Sequence, residues 1–98
     1  MHPTPSLSHF KSKDYESFYE PSEDSFLLMD AIEKDMEFII DRNPSYCLEI
    51  GSGSGCVISF AASLLGCSRV YFATDLNPSA NLATEKTAEM NNVYLSDT

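Results

Sequence analysis

A short apolar run broken by one acid, Tyr46-Cys47-Leu48-Glu49-Ile50, is followed at once by Gly51-Ser52-Gly53-Ser54-Gly55, and no other stretch limits the possible folds as strongly. Three glycines at alternate positions after such a run read as a strand, a tight turn and a helix start. The apolar residues 57–65 supply that helix. A residue without Cβ takes positive φ freely and lets a ligand come close to the backbone. The helix N-terminus behind the turn adds unpaired N–H groups and a partial positive charge. A Gly-Ser-Gly-Ser-Gly run can also be a flexible linker, but linkers do not lie between two apolar runs.

The spacing separates one kind of nucleotide cradle from another. A dinucleotide fingerprint places its third glycine at residue 56. Cys56 stands there, which disfavours a dehydrogenase. Further along, residues 69–74 read as a second buried strand ending at Asp75, 24 residues after Gly51. An acid at that position can accept hydrogen bonds from both ribose hydroxyls of a bound adenosine, and Leu76 would flank the adenine. Asn77-Pro78 is a cap and first-turn pair for a helix to about Met90, with an inner stripe of Ala80, Ala83, Thr87 and Met90. Val93-Tyr94-Leu95 looks like the start of a third strand.

Before the glycine turn, Pro21, Glu23 and Asp24 suit a helix N-terminus, and one helix is expected to about Asp41. Its packing stripe would be Leu28, Ile32, Met36, Ile39 and Ile40. Residues 1–14 read as a flexible N-terminal arm, with His2 and His9 solvated, and residues 15–98 as one domain. Phe10, Tyr15, Phe18 and Tyr19 add an apolar anchor. The alternation of helix and strand gives an α/β fold, the first half of a doubly wound, largely parallel sheet.

Charge limits the partners. With a net charge of -9 and only six Lys and Arg, the chain is a poor binder of nucleic-acid phosphates. Cys47, Cys56 and Cys67 are odd in number and sit in apolar runs, which suits reduced core thiols; no metal site is expected. The N-terminus has no signal-like apolar core, so the expected location is cytoplasmic, with the nucleus as a second compartment.

Glu49-x-Gly51-x-Gly53-x-Gly55 resembles the first motif of the class I S-adenosylmethionine-dependent methyltransferases, a Rossmann-like fold. The run Tyr19-Glu20-Pro21-Ser22-Glu23-Asp24-Ser25-Phe26-Leu27-Leu28 resembles the segment that closes over the cofactor in the eukaryotic HemK-type glutamine methyltransferases, and Thr74-Asp75-Leu76-Asn77-Pro78 adds a third match. The resemblance implies S-adenosyl-L-methionine as cofactor, held by Tyr19, Pro21, Ser25, Glu49, Gly51, Gly53, Gly55, Asp75 and Leu76. It implies methylation of the glutamine side-chain nitrogen in the Gly-Gly-Gln loop of a translation termination factor. It also implies a small zinc-binding activator subunit as heterodimer partner.

That family carries Asn-Pro-Pro-Tyr after its fourth strand. Asn43-Pro44-Ser45-Tyr46 imitates the motif but precedes the first strand, so it reads as a helix stop and strand lead-in. No catalytic residue is therefore assigned to these 98 residues, which read as a fold truncated after about the third strand. Alone they are expected to be inactive and to fold poorly or associate through an exposed edge at residues 47–50. The alternatives are an N6-adenine methyltransferase acting on nucleic acid, which shares the motifs, and a noncatalytic product that binds cofactor or a partner.

Overall fold

The computed structural model describes residues 2–97. Helix α1 (Glu23–Lys34) and helix α2 (Met36–Arg42) lead into strand β1 (Tyr46–Ile50), followed by helix α3 (Cys56–Leu65), strand β2 (Val70–Thr74) and helix α4 (Pro78–Met90). A 3-10 helix at Ser12–Glu16 precedes them. The strands pair in parallel, Tyr46 against Val70 through Ile50 against Thr74. This is the α/β arrangement expected of the first half of a doubly wound sheet. Helix α3 is the centre of the molecule: its residues are buried on almost every side, because α1, α2, α4 and β2 all pack on it. Its sequence, apolar except for Ser59 and Ser63, is the cause.

Two core clusters meet at α3. Ile58, Ala62, Tyr71 and Ala73 join the helix to the sheet, with Cys47, Val93 and Leu95 at the margin. Met29, Cys56 and Phe60 join it to α1. Here the structure differs from the pattern in the sequence. The single helix expected from residue 23 to Asp41 is two helices, broken at Asp35 (φ -93°, ψ 7°). The change of direction lets α1 and α2 both reach α3. The core-facing residue of α1 is Met29, only 3% exposed, whereas Leu28 and Ile40 are exposed. An unbranched thioether reaches into an irregular gap more easily than leucine does.

Helix α4 starts where Asn77-Pro78 predicts, with the Asn77 side chain accepting from Ser79 N. Its buried face is Ala80, Ala83, Thr84, Thr87 and Ala88; Met90 is exposed. Asn43 stops α2 in the left-handed conformation (φ 49°), so Asn43-Pro44 is the helix stop and strand lead-in that the sequence suggests. The third strand does not begin at residues 93–95. Val93 and Leu95 turn into the core, and pairing starts at Ser96 and Asp97, where Ser96 N donates to Tyr71 O and Ala73 N donates to Asp97 O.

Three further expectations differ. Strand β1 is not buried on both faces: Cys47 and Glu49 face α3, while Tyr46, Leu48 and Ile50 are 72%, 62% and 80% exposed. Cys67, expected in the core, lies exposed. Residues 2–10, read as a free arm, lie against the body. His2 N donates to Glu33, Ser6 exchanges two hydrogen bonds with the Asn91 amide, and His9 meets Thr87. Phe10, Tyr15 and Phe18 pack ring to ring at centroid distances of 4.9–5.8 Å, the anchor expected from the sequence.

Candidate functional site

The carboxyl ends of β1 and β2 open on a cavity of about 510 Å³, a volume suited to a small-molecule ligand. The glycine turn forms its floor, with Glu49 from β1 and Asp75 after β2 at the sides, and residues 18–28 arch over it. Among the residues singled out in the sequence, Tyr19, Pro21, Ser25, Glu49, Gly51, Gly53 and Asp75 line the cavity. Gly55 and Leu76 do not line it. Gly55 lies beneath the turn against α4, and Leu76 is fully exposed.

The turn is held by its own backbone. Gly51 N and Ser52 N both donate to Thr74 O, at 2.7 and 3.1 Å, and Gly55 N donates to Ser52 O. Gly53 N donates to Asp75 Oδ2 at 3.1 Å, and Asn77 N donates to Asp75 Oδ1 at 2.9 Å. A phosphate cradle needs such N–H groups aimed at the ligand. Here they are committed within the protein, which suits a ligand without phosphate. Each Asp75 oxygen accepts one backbone bond and retains acceptor capacity for a hydroxyl.

Glu49 has the opposite character. Its Oε1 is buried and has no hydrogen-bond partner among the described residues. Burial, reinforced by the nearby Asp75 charge and opposed by the Ile58 N–H, pushes its carboxyl up to about 7. A cationic group entering the cavity would meet an orphaned acceptor that gains from ionising. A cofactor with a ribose, cationic groups and no phosphate therefore fits both acids. Cys56 also lines the cavity, but burial and then the Glu49 charge push its thiol up to about 11. It stays protonated at neutral pH and its S–H points at Met29 Sδ, 3.9 Å away.

Overhead, the Tyr19 backbone crosses close to the turn: a Cβ on Gly53 would lie 3.8 Å from Tyr19 O. The Tyr19 phenol is turned back to the start of α1, donating to Asp24 Oδ1 and meeting the Ser22 hydroxyl. The hydroxyls of Ser22 and then Tyr19 hold the exposed Asp24 carboxyl below the usual range. The Asn77 amide donates to Ser17 O and so ties the overhead segment to the β2 end. Sequence reasoning missed Phe18, Asp24, Leu28, Cys56 and Asn77 as lining residues. It also missed the supports behind the turn, Thr84 and Thr87, both fully buried. The one available signal was two hydroxyls three residues apart on an otherwise small-residue face.

Comparison with known proteins agrees with this geometry. The family model described as Ribosomal protein L11 methyltransferase (PrmA) matches residues 27–97. Methyltransferase HEMK2 of Mus musculus is 41% identical over 93 residues, 95% of this chain and 42% of the relative. The eRF1 methyltransferase catalytic subunit mtq2 of Schizosaccharomyces pombe is 37% identical over 99 residues, 96% of this chain and 43% of the relative. A Methanocaldococcus jannaschii protein provisionally named as a protein N5-glutamine methyltransferase is 35% identical over 90 residues, 92% of this chain and 41% of the relative. The chain thus spans less than half the length of these relatives.

Proposed function

This chain belongs to the methyltransferase family described by the ribosomal protein L11 methyltransferase (PrmA) model, and on that premise we propose that it forms the S-adenosyl-L-methionine-binding part of an enzyme that methylates a glutamine side-chain nitrogen in a translation termination factor. The observation that carries the proposal is the meeting of an orphaned, buried Glu49 oxygen and the Asp75 carboxylate around one glycine-floored cavity. Bound there, the cofactor supplies an activated methyl group on a sulfonium. Glu49 would be the acidic partner of its cationic groups, with Oε1 accepting from the ammonium, and Asp75 would accept from its ribose hydroxyls while holding Gly53 N–H. Tyr19, Pro21 and Ser25 close over it and keep water out. An amide nitrogen is a weak nucleophile, so alignment with the methyl group is the main work of such a site.

The name of the fission-yeast relative, eRF1 methyltransferase catalytic subunit, favours a release factor as substrate and a subunit arrangement. The proposed second subunit is a small zinc-binding activator, and the proposed location is the cytoplasm, with the nucleus as a second compartment. An N6-adenine methyltransferase is the runner-up; a net charge of -9 in this part disfavours a nucleic-acid substrate.

Titration calorimetry of S-adenosylhomocysteine into the native chain and Asp75→Ala tests the proposal. Loss of two ribose hydrogen bonds at about 0.5–1.5 kcal/mol each weakens the Kd by roughly five- to a hundredfold. Folded native protein that takes up no S-adenosylhomocysteine would refute the cofactor assignment.

A further inference from the structure

Helix α4 grips the glycine turn from beneath through two threonines. Thr84 Oγ1 donates to Ser52 Oγ at 2.9 Å and lies 3.2 Å from Gly53 O. Thr87 Oγ1 is 2.6 Å from Ser54 O and also 3.0 Å from His9 Nε2. A carbonyl oxygen only accepts, so the single Thr87 hydroxyl proton is committed to Ser54. His9 Nε2 must then be the donor to Thr87. That puts a proton on Nε2; Nδ1 is buried with no partner among the described residues, so a proton there would be an unpaired buried donor, and the neutral Nε2–H tautomer is the form that fits.

From this relay we infer that His9 is a positioning residue: through Thr87 it fixes the Ser54 carbonyl, so that the docked N-terminal segment sets the shape of the cofactor turn. The link to cofactor rests on the function proposed above. The link to the turn does not. Two further contacts, Ser6 on Asn91 and Ser17 O on the Asn77 amide, end on the two caps of α4, while His2 reaches Glu33 of α1 and Ser63 of α3, so segment, helix and turn are joined by hydrogen bonds. Among the charged groups around the ring, Lys86 on α4 opposes its protonation, as does burial, the larger cause, while Asp14 of the 3-10 helix favours it. The net effect holds His9 below the ordinary histidine value, which favours a neutral ring carrying its one proton on the Nε2 that the relay uses.

Three measurements on the full chain test the relay. Long-range 1H–15N spectra, with His2→Gln to separate the two rings, should show His9 as the neutral Nε2–H tautomer at pH 7. An Nδ1–H tautomer, which leaves no donor at Nε2, would overturn the inference. Amide exchange at residues 53–56 should quicken about tenfold in His9→Phe and Thr87→Val, the equivalent of one neutral hydrogen bond, and no further in the double variant. His9→Gln and Thr87→Ser, which keep a donor and a hydroxyl, should stay near native even if the bulkier changes impair folding. Exchange unchanged in His9→Phe, or equally fast in His9→Gln and His9→Phe, would sink the relay. The S-adenosylhomocysteine Kd should follow the same order. If exchange responds and the native chain binds no S-adenosylhomocysteine, the relay stands and the proposed function falls.

Discussion

Gly51 and Gly55 stand four residues apart in one turn, both at positive φ (79° and 87°), yet their surroundings predict different outcomes on substitution by alanine. A Cβ on Gly51 would meet nothing within 4 Å. Gly51→Ala therefore carries only the backbone cost of a left-handed alanine, about 1–2 kcal/mol. A Cβ on Gly55 would sit 2.6 Å from Thr84 Cα, 3.1 Å from Thr84 O and 3.2 Å from Thr84 Cβ. Those are mostly backbone atoms of α4, which cannot swing aside as a side chain can. Overpacking adds about 1–3 kcal/mol, so Gly55→Ala should cost roughly 2–5 kcal/mol in total. A domain of this size loses about 4–8 °C in Tm per kcal/mol. Urea melts of the two variants beside the native chain measure the difference directly. Equal losses for Gly51→Ala and Gly55→Ala would refute the claim that α4 presses on the turn.

Glu49 sets a pH dependence: its carboxyl is raised from 4.5 to about 7 in the fold, so stability is greatest below pH 4.5, falls as the pH climbs towards 7, and is flat beyond. Glu49→Gln should remove that slope and gain up to about 3 kcal/mol above pH 7; parallel urea curves for the two proteins at pH 5 and pH 8 would contradict it. Met29→Ala empties a buried site against Cys56 and Phe60 and should lower stability by about 2–5 kcal/mol, read from the denaturation midpoint. The exposed Tyr46, Leu48 and Ile50 side chains beside the β1 edge should drive concentration-dependent association, visible by light scattering. Leu48→Lys should suppress it, and an unchanged association constant would place the contact elsewhere.

The elements with strong local signals were legible in the sequence. Strand β1, the glycine turn and α3 follow from an apolar run, three glycines and a second apolar run; the start of α4 follows from Asn77-Pro78. Seven of the nine residues chosen for the site line one cavity, because the glycine spacing and the acid after the second strand are set by topology. What periodicity could not give was decided by tertiary packing. Asp35 breaks the first helix because two short helices reach α3 where one straight helix would not. Met29 displaces Leu28 from the core because the gap beside Cys56 suits a thioether. The docking of residues 2–10 rests on Leu7 against the Met29, Cys56 and Phe60 cluster, on the His2 ring against Phe60 and on single polar bonds to residues far along the chain, and such isolated contacts leave no period to read.

Those polar bonds also impose an order in time. Ser6 finds Asn91 85 residues later, His9 finds Thr87 78 residues later, and the His2 ring finds Ser63 61 residues later. Closing such long loops is entropically unfavourable until the far side exists and is folded. During synthesis residues 2–10 are made before α4 and must wait for it before they can dock fully. Residues 2–10 are therefore made before α4 but fastened after it, and the floor of the cavity takes its final shape only when the two meet.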